Sequence, residues 1–437
     1  MKNHAKLNIR RVPLANKVAT VAHAYNNHHI RDCLLLFVSR KDMVIIMKTN
    51  VAVFFGCRSV EHEVSIISAV QAMRSIDREK YDITPVYVTK NGEMFTGDSL
   101  FTIEEYRDLP ALLEKCRKVY FVREGKDVVM KFEKSGFFSK QKDVIIDVAF
   151  PIVHGTNCED GTIQGYFEYL NLPYVGCDIL SSAVGMDKVV FKDVLKRAGL
   201  PVLDCICFRA REYAANKTEV IKEIGEKIGY PLIIKPVNLG SSVGISKVNT
   251  ENELDTAITL AFTFAEKVLI ERAVTNIREI NCSVLGNADE CEASVCEEPF
   301  MHDEILSYDN KYKGGGKSKG MASLGRKIPA DLSEEKAEEI RKLSCDIFKA
   351  LGANGVVRID FILDGDTVYA NEINTIPGSL AFYLWEATGM PYKELLDRLI
   401  ELAFKRQRTR ENLSFSIDTD ILSGASFGSK GAKGSKI

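Results

Sequence analysis

Several absences narrow what this chain can be. A helix that spans a membrane needs a run of about 18 apolar residues. The 437-residue sequence contains none, so membrane insertion is not expected. Neither sign of charge is in excess. The 58 Lys and Arg face 60 Asp and Glu, for a net −2, which offers no basic field for nucleic acid. Eleven cysteines are present, yet none stand at the CxxC spacing of zinc or dithiol redox sites, and Cys205 and Cys207 sit at strand spacing. Thiols scattered in this way suit a reducing, cytoplasmic setting, mostly as small buried apolar groups. A phosphate-binding P-loop is missing too. Gly316-Lys317-Ser318 has Lys311 where that loop needs glycine, and no strand precedes it, which excludes a P-loop NTPase.

What is there is an ordinary globular composition, 46% apolar and 27% charged, in a chain long enough for about two to four domains. Residues 1–46 read differently and hold four of the seven histidines. Their apolar run at 33–38 is short and lacks a small-residue cleavage site, so a signal peptide is not expected. Met47 opens a good first strand and is expected to be the natural start, with 1–46 an extension outside the fold. Residues 423–437, rich in Gly, Ser and Lys, cannot bury a core and are expected to be a flexible tail.

The most informative stretch is 355–378, GVVRIDFILDGDTVYANEINTIPG. Two apolar strands flank Asp364-Gly365-Asp366, a hairpin signal. Strand side chains alternate faces, so Arg358 and Asp360 share one face, and Glu372 and Asn374 share one face of the second strand. For both sets to point the same way the connection must contain an odd number of residues, so a three-residue loop at 364–366 with a glycine bulge is expected. One surface then carries Asp360, Glu372 and Asn374 as hard oxygen ligands beside Arg358, a set suited to Mg²⁺ with phosphates as further ligands. A salt-bridged sheet face is the alternative.

Other strand ends carry polar loops into helices, the place where α/β folds put ligand contacts. After the strand at 48–56 comes Glu61 at a helix start, either a helix-dipole partner or a group that meets a substrate ammonium. The strand at 81–89 follows. Residues 91–142 read as hairpins and loops. The buried strand at 143–151 leads to His154 and the run to Gly165; a lone histidine there is more commonly a satisfied core residue. Asp187-Lys188 starts a helix ending near Gly199. The strand at 231–235 ends in Lys235 and a Gly/Ser loop to Gly244, whose backbone N–H groups can line phosphates. Glu271 ends another strand, placed to accept a hydrogen bond from an adenine amine. Residues 307–321 are basic and glycine-rich, read as a lid that orders on an anionic ligand or as a plain solvated loop. Helices are expected at 334–351, 380–388 and 392–405.

Five stretches, 61–65, 154–165, 235–244, 308–312 and 358–378, occur in the order found in the D-alanine–D-alanine ligase family, and the chain resembles that family over about 48–408. The resemblance implies a three-domain ATP-grasp α/β fold. Its parts are an N-terminal parallel-sheet domain at 47–186, a central lid subdomain at 187–271 and a C-terminal catalytic subdomain at 272–408, with a tail at 409–437. It implies ATP-dependent joining of two D-alanines through an acyl phosphate, for peptidoglycan precursors. It also implies two Mg²⁺ ions, replaceable by Mn²⁺, on Asp360, Glu372 and Asn374. Lys188 and Lys235 would contact the nucleotide phosphates, and Lys311 on the lid the transferred phosphate. Glu271, Val274 and Glu279 would line the adenine and ribose. Glu61, with Ser241 and Tyr312, would hold the first ammonium. His154 would lie near the first carboxylate, and Arg358 with the Gly378 N–H would face the oxyanion. A homodimer is implied as well.

Three departures stand out. Cys57 and Cys158 occupy positions where the family usually has glycine, and Ser379-Leu380 follow Gly378 at once, where the family has several residues first. This shortening keeps open a ligase with another second substrate, such as D-serine or D-lactate, although Tyr312 matches the dipeptide-forming members. In a different class, the chain would be a nucleotide-binding homologue without catalysis.

Overall fold

The computed structural model describes residues 48–133, 142–240, 243–299 and 325–424, and the backbone of three short strands before them. Those strands, β1 (Arg11–Pro13), β2 (Leu34–Ser39) and β3 (Asp42–Ile46), form an antiparallel sheet of their own.

The first large sheet is built on β4 (Thr49–Gly56), where residues from Val51 to Phe55 are wholly buried. A continuous apolar run of this kind suits a strand covered on both faces. It pairs in parallel with β5 (Tyr81–Val88) and with β10 (Val148–Ile152). Beyond β5 come β6 (Met94–Thr96), β7 (Arg117–Glu124), β8 (Asp127–Phe132) and β9 (Val144–Ile146), all in antiparallel pairings. The sheet is therefore mixed, with the parallel part confined to three strands. The antiparallel part comes from β6 to β8, within the stretch 91–142 read as hairpins and loops, and from β9 just after it; β7 and β8 form a tight hairpin, whose strands must run antiparallel. β9 leads into β10 through Asp147, whose carboxylate accepts the Asn50 N–H at 2.8 Å. The Asn50 amide donates to the Ile145 carbonyl at 2.9 Å, so one segment ties the two edges of the sheet together.

A second, antiparallel sheet comprises β11 (Cys205–Arg209), β12 (Leu232–Pro236), β13 (Ser246–Val248) and β14 (Lys267–Arg272), in the order β11-β14-β12-β13. Ile224 of the helix Lys217–Lys227, with Leu254 and Ile258 of the helix Glu251–Phe262, packs on Leu232, Ile234 and Ile270.

The third sheet has the order β17-β16-β15-β18-β19, with β15 Arg278–Gly286, β16 Cys291–Pro299, β17 Arg326–Lys327, β18 Gly355–Asp364 and β19 Thr367–Asn374. One face is covered by the helix Glu334–Ala350, whose Ile340, Ile347 and Phe348 pack on Val284, Val357, Ile359 and Phe361. Ser333 caps that helix by accepting the Lys336 N–H at 3.2 Å, which supplies one of the partners a helix start otherwise lacks.

The β18–β19 hairpin corrects the expected loop. Asp364 pairs with Thr367, so the turn has two residues, with Gly365 at φ +60°. The odd residue sits further along as a bulge at Asn371, which shifts the register so that Asp360 meets Glu372 and Arg358 meets Asn374. The parity requirement holds, but a bulge satisfies it rather than the turn. The helix expected from 380 begins at Phe382, after a turn over Gly378–Ala381.

Candidate active site

Alternation along β18 and β19 puts the predicted oxygen donors on one face. Glu297, Asn281, Asp360 and Glu372 form one rung across four strands. Ser283, Arg358 and Asn374 form the next. The Arg358 guanidinium grips Asp360 with two bonds, Nε to Oδ1 at 2.6 Å and Nη2 to Oδ2 at 2.7 Å. Burial opposes its charge, but Asp360 beside it holds the pKa of Arg358 well above the usual value. Asn374 donates to Asp360 Oδ2 at 3.1 Å, and Lys188 Nζ lies 3.2 Å from Glu372 Oε2. As it stands, this face is salt-bridged. The Asp360 and Glu372 side chains still keep 15% and 25% exposure, so their oxygens are within reach of a ligand. Two carboxylates and one amide fit a hard cation that takes its remaining ligands from phosphates and water.

Behind this face lies a sealed charge cluster. Lys235 Nζ donates to Glu271 Oε1 and, at 3.0 Å, to Asn371 Oδ1, the bulge residue. Lys192 Nζ lies 2.8 Å from Glu271 Oε2. Burial alone would raise the pKa of Glu271, but the two ammonium groups pull it down to about 2. Burial would likewise lower that of Lys235, yet Glu271 raises it, with Glu372 and Glu279 adding to the effect. Both Glu271 oxygens thus meet lysines, and two of the three Lys235 donors are engaged. Glu279 lies on β15 and Val274 in the partly buried connection from β14. Lys192 and Asn371 were not predicted. Lys192 stands four residues after Lys188, so the helix spacing that puts them on one face could have pointed to it. Nothing local marks Asn371.

The loops after β4, β10 and β12 converge on Glu61. A Cβ at Gly155 (φ +79°) would fall 2.8 Å from Glu61 Oε2 and 2.5 Å from Ser59 Oγ, and one at Gly240 would fall 3.4 Å from Glu61 Oε2. Bare glycine backbone therefore lets the carboxylate sit between the two loops. Glu61 occupies the N-cap of the helix His62–Ser75, but its side chain does not cap that helix. His154 is buried, with Nδ1 2.8 Å from the Ile376 carbonyl and Nε2 3.0 Å from Ser68 Oγ.

Glu159, also unpredicted, accepts the Gly155 N–H at 3.0 Å and the Ile376 N–H at 3.1 Å. Burial first, then nearby Glu61, pushes its carboxyl up to about 8. Cys57 and Cys158 are both buried and adjoin each other; the Cys57 contact and burial raise the pKa of the Cys158 thiol far above its usual range. Gly378 starts the turn after β19. Ser241, Lys311 and Tyr312, and with the last two the predicted lid, lie outside the described residues. Among the described residues no three His, Cys, Asp or Glu side chains gather as a metal cluster, and no helix is long and apolar enough to cross a membrane.

Comparison with known proteins agrees with this layout. The family descriptions "D-ala D-ala ligase N-terminus" and "D-ala D-ala ligase C-terminus" match residues 50–177 and 194–401. A D-alanine--D-alanine ligase of Thermoanaerobacter sp. is 44% identical over 82% of this chain and 96% of its own length. That of Thermosipho melanesiensis is 39% identical over 85% and 98%. Among solved structures, the D-alanine-D-alanine ligase from Coxiella burnetii superposes with a TM-score of 0.70 at 31% identity, covering 83% of this chain and 96% of the other. The VanG D-Ala:D-Ser ligase from Enterococcus faecalis superposes at 0.68 and 31%, covering 82% and 100%.

Proposed function

We propose that this chain, which belongs to the D-alanine–D-alanine ligase family, joins two D-alanines to D-alanyl-D-alanine for peptidoglycan precursors while ATP becomes ADP and phosphate. The first carboxylate oxygen takes the γ-phosphoryl group and ADP leaves. The amine of the second D-alanine, having lost a proton, attacks the acyl phosphate carbonyl, and phosphate departs from the tetrahedral intermediate. Such transfer depends chiefly on positioning and charge neutralisation.

The observation that carries this reading is the shared face of Asp360, Glu372 and Asn374, with Lys188 at its edge and Lys235 in the cluster behind it. Asp360, Glu372 and Asn374 would hold two Mg²⁺, or Mn²⁺ in their place, which when bound neutralise charge between phosphates. Lys188 and Lys235 steady the phosphates, and Lys311 the group in transfer. Val274 and Glu279 border the base and ribose, whereas Glu271, sealed against Lys192 and Lys235, has no exposed carboxylate oxygen for the expected adenine contact and serves as their counter-ion. Glu61, with Ser241 and Tyr312, takes the first ammonium. Arg358 and the Gly378 N–H stabilise the oxyanion, where fixed donors gain most in the transition state. His154 belongs to the same site. The domain divisions at about 186 and 271, a homodimer and a cytoplasmic location rest on the family resemblance.

A different second substrate is the second reading. It is favoured by Ser379, whose N–H is given to Ser68 and whose hydroxyl is given to Gln71, so neither donor points freely to an incoming carboxylate. Phosphate release with D-alanine alone, then with added D-serine or D-lactate, and product masses, tests both. D-Ala-D-Ala as the main product establishes the first reading; a mixed product establishes the second. No release under any condition favours a non-catalytic homologue.

A further inference from the structure

We infer that His154 and Ser68 form a clasp that positions the turn carrying Gly378, and that His154 is a positioning residue rather than a ligand of the first amino acid. This rests on the ligase reading. The Ile376 carbonyl can only accept, so His154 Nδ1 must carry the hydrogen across their 2.8 Å contact. In the neutral ring Nε2 is then an acceptor, and the Ser68 hydroxyl donates to it at 3.0 Å. The Ser68 oxygen in turn accepts the Ser379 N–H at 3.0 Å. One directed chain, Ser379 to Ser68 to His154 to Ile376, thus closes around Pro377 and Gly378. Burial keeps the ring below its ordinary pKa, against the pull of Glu61 and with Arg358 opposing charge as well. Both ring nitrogens are engaged and the residue is 4% exposed, which leaves no polar atom to meet a substrate carboxylate.

The turn needs such holding. Ser379, Leu380 and Ala381 stand at φ +50°, +56° and +50°. This left-handed region is strained for residues other than glycine, and such geometry persists only when the surroundings over-determine it. The surroundings do so here. The helix His62–Ser75 holds Ser379 at both of its donors, the N–H through Ser68 and the hydroxyl, at 2.7 Å, through Gln71. These two residues are three apart and so share one helix face. The loop after β10 holds Ile376 at both backbone groups, through His154 and Glu159, and accepts the Thr375 hydroxyl at 3.1 Å. The turn that carries the proposed oxyanion donor is therefore held by the helix His62–Ser75 and the loop after β10, far from it in sequence.

The test is steady-state kinetics of His154→Ala, Ser68→Ala, the double variant and His154→Asn, with thermal unfolding as a control. A misplacement of about 1 Å costs ~10²-fold, so each single alanine variant is expected to lose about that much in kcat. KM for ATP and for the first amino acid should stay within about twofold, the pattern of an interaction made only in the transition state. The double variant should lose about as much as the worse single one, since members of one chain are not additive. His154→Asn keeps an N–H near the place of Nδ1 and should recover part of the loss. If His154→Ala does not fold, Ser68→Ala, which removes one oxygen, carries the test. A raised KM for the first amino acid with kcat retained, or single losses that multiply, would overturn the clasp while leaving the ligase standing. A wild-type protein that releases no phosphate overturns both.

Discussion

Glu271 and Glu372 each face a lysine, yet they stand in opposite situations. Glu271 has 1% side-chain exposure and two ammonium partners. Glu372 has 25% and an ion pair at 3.2 Å, to Lys188. The first is a sealed counter-ion whose charge is matched inside the protein. The second sits where a cation from solvent can displace the lysine. Sequence position does not separate them, since both lie near strand ends. Desolvation does: a charge removed from water must be paired permanently, while one at the rim can exchange partners.

The sharpest way to break this contrast is to neutralise each acid with its isostere. Glu372→Gln is expected to lower turnover by about three orders of magnitude, in keeping with the weight of metal-bound charge in phosphoryl transfer, with an unchanged unfolding midpoint. Near-normal phosphate release would remove the metal assignment. Glu271→Gln is expected to lower stability by about 3–5 kcal/mol, because it strands Lys192 and Lys235 in a buried site. Denaturant unfolding measures this, and a loss below that range would mean water reaches the cluster.

Acid titration sharpens the same point. The folded pKa of Glu271, about 2, lies below its ordinary 4.5, so its stabilisation is present above pH 4.5 and is lost as pH falls toward 2. The stability gap between wild type and Glu271→Gln should therefore shrink over that interval and stay flat above it. At the small end lies Lys90–Glu63, 2.8 Å apart with both side chains largely exposed. Glu63→Gln should cost less than about 1 kcal/mol, and a larger effect would show that exposure is a poor guide here.

Much of the site was legible. Period-two alternation placed Arg358, Asp360, Glu372 and Asn374 on one face, and the parity requirement was sound, although Asn371 rather than the turn satisfies it. Glu61 was readable as a helix-start acid with two outcomes; the structure places its carboxylate beside Gly155 and Gly240, without a capping bond to its own helix. The N-terminal sheet was expected to be parallel from the family resemblance; the stretch read as hairpins and loops supplies its antiparallel half, whose short strands such as Met94–Thr96 carry too little pattern to be placed from sequence.

What the sequence determined by itself is local. Strand alternation, glycine-permitted turns and the order of the motifs follow from backbone geometry within a few residues. The tertiary structure decided which of these local groups meet. His154 finds Ile376 across 222 positions, and Ser68 finds Ser379 across 311. Such pairs leave no periodic trace in the chain, because packing between separate sheets brings them together and burial then requires each polar atom to have a partner.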